Sequence, residues 1–125
     1  MSTSDIDPAE LLPLTPASFH ILLVLAAGPA HGYAIMLEVA RMTGGAAQLG
    51  SGTLYRTIQK LLDDRLIEAV SPGGDDADER RVPYRLTRHG LAVARAEAQR
   101  MAVLVKIAQR RLLAPVAGSR RGAQP

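Results

Sequence analysis

In this 125-residue chain, the side chains best suited to chemistry lie between Ser51 and Asp64. Ser51, Thr53, Tyr55, Arg56 and Lys60 are hydrogen-bonding and cationic groups of the size that reaches base edges and phosphates in a DNA groove. They interleave with Leu54, Ile58, Leu61 and Leu62 at helical spacing, leaving Thr53, Arg56, Thr57, Lys60 and Asp64 on the outer face. The first turn of such a helix also offers free N–H groups to a phosphate. An ordinary amphipathic surface helix would have the same periodicity. Position separates the two readings, because this helix is the third of three before a hairpin. A second basic group, Arg80, Arg81 and Arg85, follows a Gly/Asp turn and is placed to touch phosphates or a minor groove. The turn itself carries Asp75, Asp76, Asp78 and Glu79, which a phosphate backbone repels. Contact is therefore expected from the Arg-bearing strand and not from the apex. The same acids are alternative partners for Arg80 and Arg81 in weak exposed pairs.

Catalytic chemistry finds no support. His20, His31 and His89 lack the spacing of metal ligands. Asp63-Asp64 and Asp75-Asp76 have no partner base or acid. Gly44-Gly45 and Gly50-Ser51-Gly52 lack the Lys of a phosphate-cradling loop. With no Cys, thiolate metal sites and Cys nucleophiles are excluded, and a reducing cytoplasm is the expected location. No enzyme activity, metal or cofactor is expected. The longest apolar run, Ile21 to Ala27, is too short to cross a bilayer, so no membrane partner is expected. Residues 1–10 carry acids and no bases, unlike a signal peptide. Charge divides unevenly along the chain. Residues 1–50 hold one base, Arg41, against Asp5, Asp7, Glu10 and Glu38, so the rest holds fourteen of the fifteen bases. That asymmetry fits a polyanionic partner met by one face, or a solubilising surface.

The elements that must position these groups follow from punctuation and period. Residues 1–14 read as a leader, poorly ordered or a short helix at Asp7-Pro8. Thr15-Pro16 starts a helix with the stripe Phe19, Leu22, Leu23, Ala26, stopped at Gly28-Pro29. A second begins near His31 with Tyr33, Met36, Leu37 and Ala40, and Gly44-Gly45 is its left-handed cap. Leu66–Val70 and Val82–Thr87 read as two strands of a hairpin, with Pro83 on an edge. From Arg88 the chain is helical for roughly 25 residues, ending at Pro115. This helix carries a heptad seam of Leu91, Ala94, Ala98, Met101, Val105, Ala108 and Leu112. The seam is satisfied either by the chain's own helices or by a second copy, and its length favours a homodimer. The expected fold is mainly α with a small β-hairpin. A winged helix-turn-helix domain spans residues 15–87, a dimerisation helix 88–114, and a disordered tail 115–125.

Three motifs at these spacings resemble the PadR family of transcriptional regulators, in its short-tailed subgroup. They are Gly28-Pro29-Ala30-His31-Gly32-Tyr33 after Ile21–Leu25, Gly50-Ser51-Gly52-Thr53-Leu54-Tyr55 leading into Leu61–Glu68, and Tyr84-Arg85-Leu86-Thr87 with Gly90. The resemblance covers about Leu14 to Gly90. It implies a winged-helix dimer, usually a repressor, bound to a pseudo-palindromic double-stranded DNA operator and released by a small-molecule effector or another cue. It also implies that Tyr33, Ser51, Thr53, Tyr55 and Arg56 face DNA. Ser51 and Arg56 stand where relatives commonly have Pro. The long helix has no aromatic residue, so the expected effectors are small aliphatic molecules, or none, and not planar drugs. The alternative function is a winged-helix adaptor that docks another protein without touching DNA.

Overall fold

The computed structural model describes residues 6–70 and 81–113. The turn acids, Arg80 and the tail at 115–125 lie outside these residues. Thr15 caps α1 (Pro16–Ala26), its hydroxyl accepting the Ser18 N–H at 3.1 Å. The buried face of α1 is Ser18, Ile21, Leu22, Val24 and Leu25, whereas Leu23 is 40% exposed and Ala26 is exposed. Of the expected stripe, Leu22 is buried and Phe19 half-buried, whereas Leu23 and Ala26 face outward. Nearly every side chain after His20 is apolar, so periodicity alone cannot say which side faces in.

Two residues, Ala30–His31, form strand β1, which the sequence reading missed because so short an element has no alternation to detect. His31 also caps α2 (Gly32–Met42), its Nδ1 accepting from the Ala34 N–H. Ile35 and Val39 are the buried pair of α2, and Tyr33 and Leu37, expected on its inner stripe, are exposed. Gly44 at φ +62° ends the helix as expected, with Gly45 N–H donating back to the Ala40 carbonyl at 2.8 Å.

Helix α3 (Ser51–Asp63) buries Leu54, Ile58 and Leu61, the face the sequence predicts. Its C-terminal cap repeats the same pattern with Arg65 in the left-handed position at φ +62°. Arg65 N–H bonds the Leu62 carbonyl and Leu66 N–H the Leu61 carbonyl. Strands β2 (Ile67–Ala69) and β3 (Pro83–Leu86) pair antiparallel, and β3 also pairs antiparallel with β1, giving the order β1-β3-β2. The hairpin is therefore part of a three-stranded sheet, and Pro83 does not lie on an edge strand. It opens the central strand opposite His31, where a missing donor is tolerated, and its carbonyl accepts Val70 N–H at 2.8 Å.

Thr87 caps α4 (Arg88–Ala108), which continues as a π-helical turn over Gln109–Leu113. Its first half buries Gly90, Val93, Ala94 and Glu97 against α1 and a 3-10 turn at Pro8–Leu11. That turn is capped by the Asp7 carboxylate, which accepts Ala9 N–H at 3.0 Å. Three helices, a small antiparallel sheet and a long C-terminal helix make a winged helix-turn-helix. No helix among the described residues is long and apolar enough to cross a membrane.

Candidate nucleic-acid interface

Gly50 precedes α3 and supplies no side-chain bond to its first turn, so the opening N–H groups face outward beside exposed Ser51, Gly52 and Thr53. One turn on, the Arg56 guanidinium touches only the Thr53 hydroxyl, at 3.4 Å, and has no acidic partner among the described residues. Lys60 is exposed and pairs with Asp64 at 3.0 Å. Thr57 turns its hydroxyl onto the Thr53 carbonyl at 2.7 Å. Gln59 shares the outward side with Arg56 and bonds the Asp63 carboxylate at 3.0 Å.

Two motifs meet at the base of this helix. A methyl group built on buried Gly32 would overlap the phenol oxygen of Tyr55, so the ring lies directly over the start of α2. Tyr55 thus holds α3 against α2 while staying 37% exposed. Tyr33, next in chain to that contact, is 58% exposed. Ser51, Thr53, Tyr55, Arg56 and Lys60 all belong to α3, and Tyr33 opens the helix on which Tyr55 rests.

The sheet contributes less than the sequence suggests. Arg81 is exposed, but Arg85 is paired across the strands with Glu68 at 2.7 Å, in the register that sets the two residues opposite each other. The remaining residues of that motif are structural. Thr87 uses its hydroxyl on the Arg65 and Leu66 carbonyls at 2.8 and 3.1 Å and accepts Gly90 N–H at 2.9 Å. A Cβ on Gly90 would fall on the Leu66 carbonyl. The end of α3 and the start of α4 are therefore pinned together through backbone.

Along α4 the seven-residue seam divides. Leu91 is half-buried and Ala94 is buried in the chain's own core, so Ala94 presents almost no surface to a second molecule. Ala98, Met101, Val105 and Leu112 are exposed and Ala108 is half-buried. Val103, Leu104 and Ile107 add to this apolar surface. Glu97 marks the division. Only 1% exposed, it accepts two bonds from Arg100 and the backbone N–H of Leu14 at 3.0 Å. The Arg100 guanidinium holds the Glu97 carboxyl below its ordinary value of 4.5, with Leu14 helping and burial opposing. Among the described residues no cluster of His, Asp or Glu is arranged to hold a metal ion.

Comparison with known proteins places this arrangement. Residues 21–96 match the transcriptional regulator PadR-like family. A curated relative, an uncharacterised 37.1 kDa protein in transposon TN4556 of Streptomyces fradiae, is 34% identical over 88 residues, 70% of this chain. The chain spans about a quarter of that protein, 24% of its length. Among solved structures, a transcriptional regulator from Clostridium thermocellum superposes with a TM-score of 0.67 at 22% identity, covering 77% of this chain and 89% of that one. A PadR family transcription regulator from Clostridium difficile gives 0.64 at 21% identity, covering 77% and 97%.

Proposed function

The chain belongs to the PadR-like family, a family of transcriptional regulators and not of enzymes, and from that premise we propose that it is a homodimer that binds operator DNA. In this reading α3 enters the major groove, with its uncapped first turn on a phosphate and Arg56 and Gln59 toward the bases. Tyr33, Ser51, Thr53 and Tyr55 line the approach, while Lys60 and Arg81 meet the backbone. Arg85 contributes once it is released from Glu68. The observation that carries the reading is the outward stripe of α3, where Arg56 has no acidic partner among the described residues.

Two copies joined along the outer half of α4 would present two such helices to a pseudo-palindromic site, roughly one duplex turn (~34 Å) apart. The regulator acts as a repressor in the cytoplasm, and an effector releases it. Fluorescence anisotropy with the DNA immediately upstream of its gene, at rising salt, tests the proposal. Several phosphate contacts require affinity to fall steeply and linearly on a log–log plot. Affinity for DNA that is absent, or indifferent to salt, overturns it and favours a protein-docking role for the same surface.

A further inference from the structure

The 3-10 turn at Pro8–Leu11 and the residues after it do more than cover α4. Leu11, Pro13 and Leu14 face Arg56, Thr57 and Lys60 of α3 across a cleft of about 360 Å³. We propose that this cleft binds a short aliphatic carboxylate, and that the occupant withdraws Arg56 from DNA.

The lining supplies each part of such a ligand's recognition. Leu11, Pro13, Leu14, Leu61 and Leu66 make an aliphatic wall with no aromatic ring to stack on, so a flexible alkyl chain fits better than a planar ring. Arg56 offers the cleft a guanidinium with no acidic partner among the described residues. Asp64, the acid in the lining, is already neutralised by Lys60 at 3.0 Å, so the uncompensated charge that remains is positive. Ser18 adds a donor. It lines the cleft, and its hydroxyl makes no hydrogen bond among the described residues, so it is free to donate to a carboxylate oxygen. The space suits a small molecule. A carboxylate held by Arg56 and Ser18 would occupy the cation that the DNA reading needs, so ligand and operator exclude one another. That last step rests on the DNA-binding reading, whereas the cleft itself does not.

The test uses the full chain and hexanoate, with hexanamide as the neutral probe of equal size. Without DNA, hexanoate should shift the amide signals of Leu14, Ser18, Arg56 and Thr57 saturably, and hexanamide should bind at least about tenfold more weakly. Arg56→Gln should weaken hexanoate about tenfold or more, and Ser18→Ala several-fold, with unchanged circular dichroism in both. Equal binding of the two probes, shifts elsewhere in the protein, or indifference to both substitutions overturns the site. With DNA present, hexanoate should release the operator in proportion to cleft occupancy. Occupied cleft and retained DNA overturns the competition. A protein that binds hexanoate at these residues but no DNA leaves the site standing and removes the function proposed above.

Discussion

Gly90 and Gly32 belong to motifs that the sequence offers as one signature, yet they answer to different physics. At Gly90 the obstruction to a side chain is the Leu66 carbonyl, which cannot move without unseating β2 from α4. Gly90→Ala should therefore cost about 3 kcal/mol or more, at the upper end of overpacking, and leave little cooperative unfolding in a urea titration. At Gly32 the obstruction is the far end of the Tyr55 ring, which can swing. Gly32→Ala should cost about 1–2 kcal/mol, and part of that should return in the Gly32→Ala/Tyr55→Phe pair, which removes the nearest overlapping atom and leaves the ring carbon behind it to shift. The proposed contact residues make a second prediction. Lys60→Ala should weaken all DNA sequences alike and flatten the salt slope by about one unit. Arg56→Ala should cost roughly 1–3 kcal/mol and relax one base position. An unchanged affinity in the double mutant would remove both from the interface. Sequence alone identified the exposed α3 residues, because their spacing against Leu54, Ile58 and Leu61 is unambiguous. It could not see that Arg85 faces Glu68, since cross-strand partners depend on a register no local pattern states.

Helix α4 divides at Glu97. Before it the helix packs on its own domain, and after it the apolar side chains are largely exposed among the described residues. A heptad count runs through both halves because a core stripe and an association stripe have the same period. That is why Ala94 read as seam and proved to be core. In α1 the stripe held at Leu22 and missed at Leu23 and Ala26 for a related reason, with too many apolar residues for any phase to stand out. Glu97 also makes a prediction about acidity. Its folded pKa lies below the ordinary carboxylate value, so the stability it adds is present above pH 4.5 and is lost as pH falls through the lowered value. The Leu14 amide should keep its hydrogen-exchange protection from neutrality to about pH 5. It should lose that protection in stronger acid, whereas Glu97→Gln should weaken it at every pH, by about 1–3 kcal/mol. Protection of Leu14 that ignores both changes would show the leader to be held by its leucines alone. In the other half, Met101→Glu would bury two like charges in a two-fold seam and should yield monomers by sedimentation. Operator affinity should then fall on the order of a hundredfold, since the second half-site's linkage is lost. A mutant that stays dimeric places the interface elsewhere.

In the whole molecule, the Thr87–Leu66–Gly90 junction leaves no slack between α3 and the long helix. Backbone carbonyls at the end of α3 are fixed by the cap of α4, and a glycine brings the two elements into contact. If two chains join along their outer halves, each 21-residue α4 is an arm about 30 Å long with α3 clamped at its root. A change of about 5° in the angle between the arms then changes the distance between the two roots by about 3 Å, close to the 3.4 Å step between base pairs. The protein would behave as a pair of calipers. Small molecules or substitutions far from DNA would alter affinity by changing the gauge and not the grip, moving both half-sites out of register while every contact residue keeps its own place on α3.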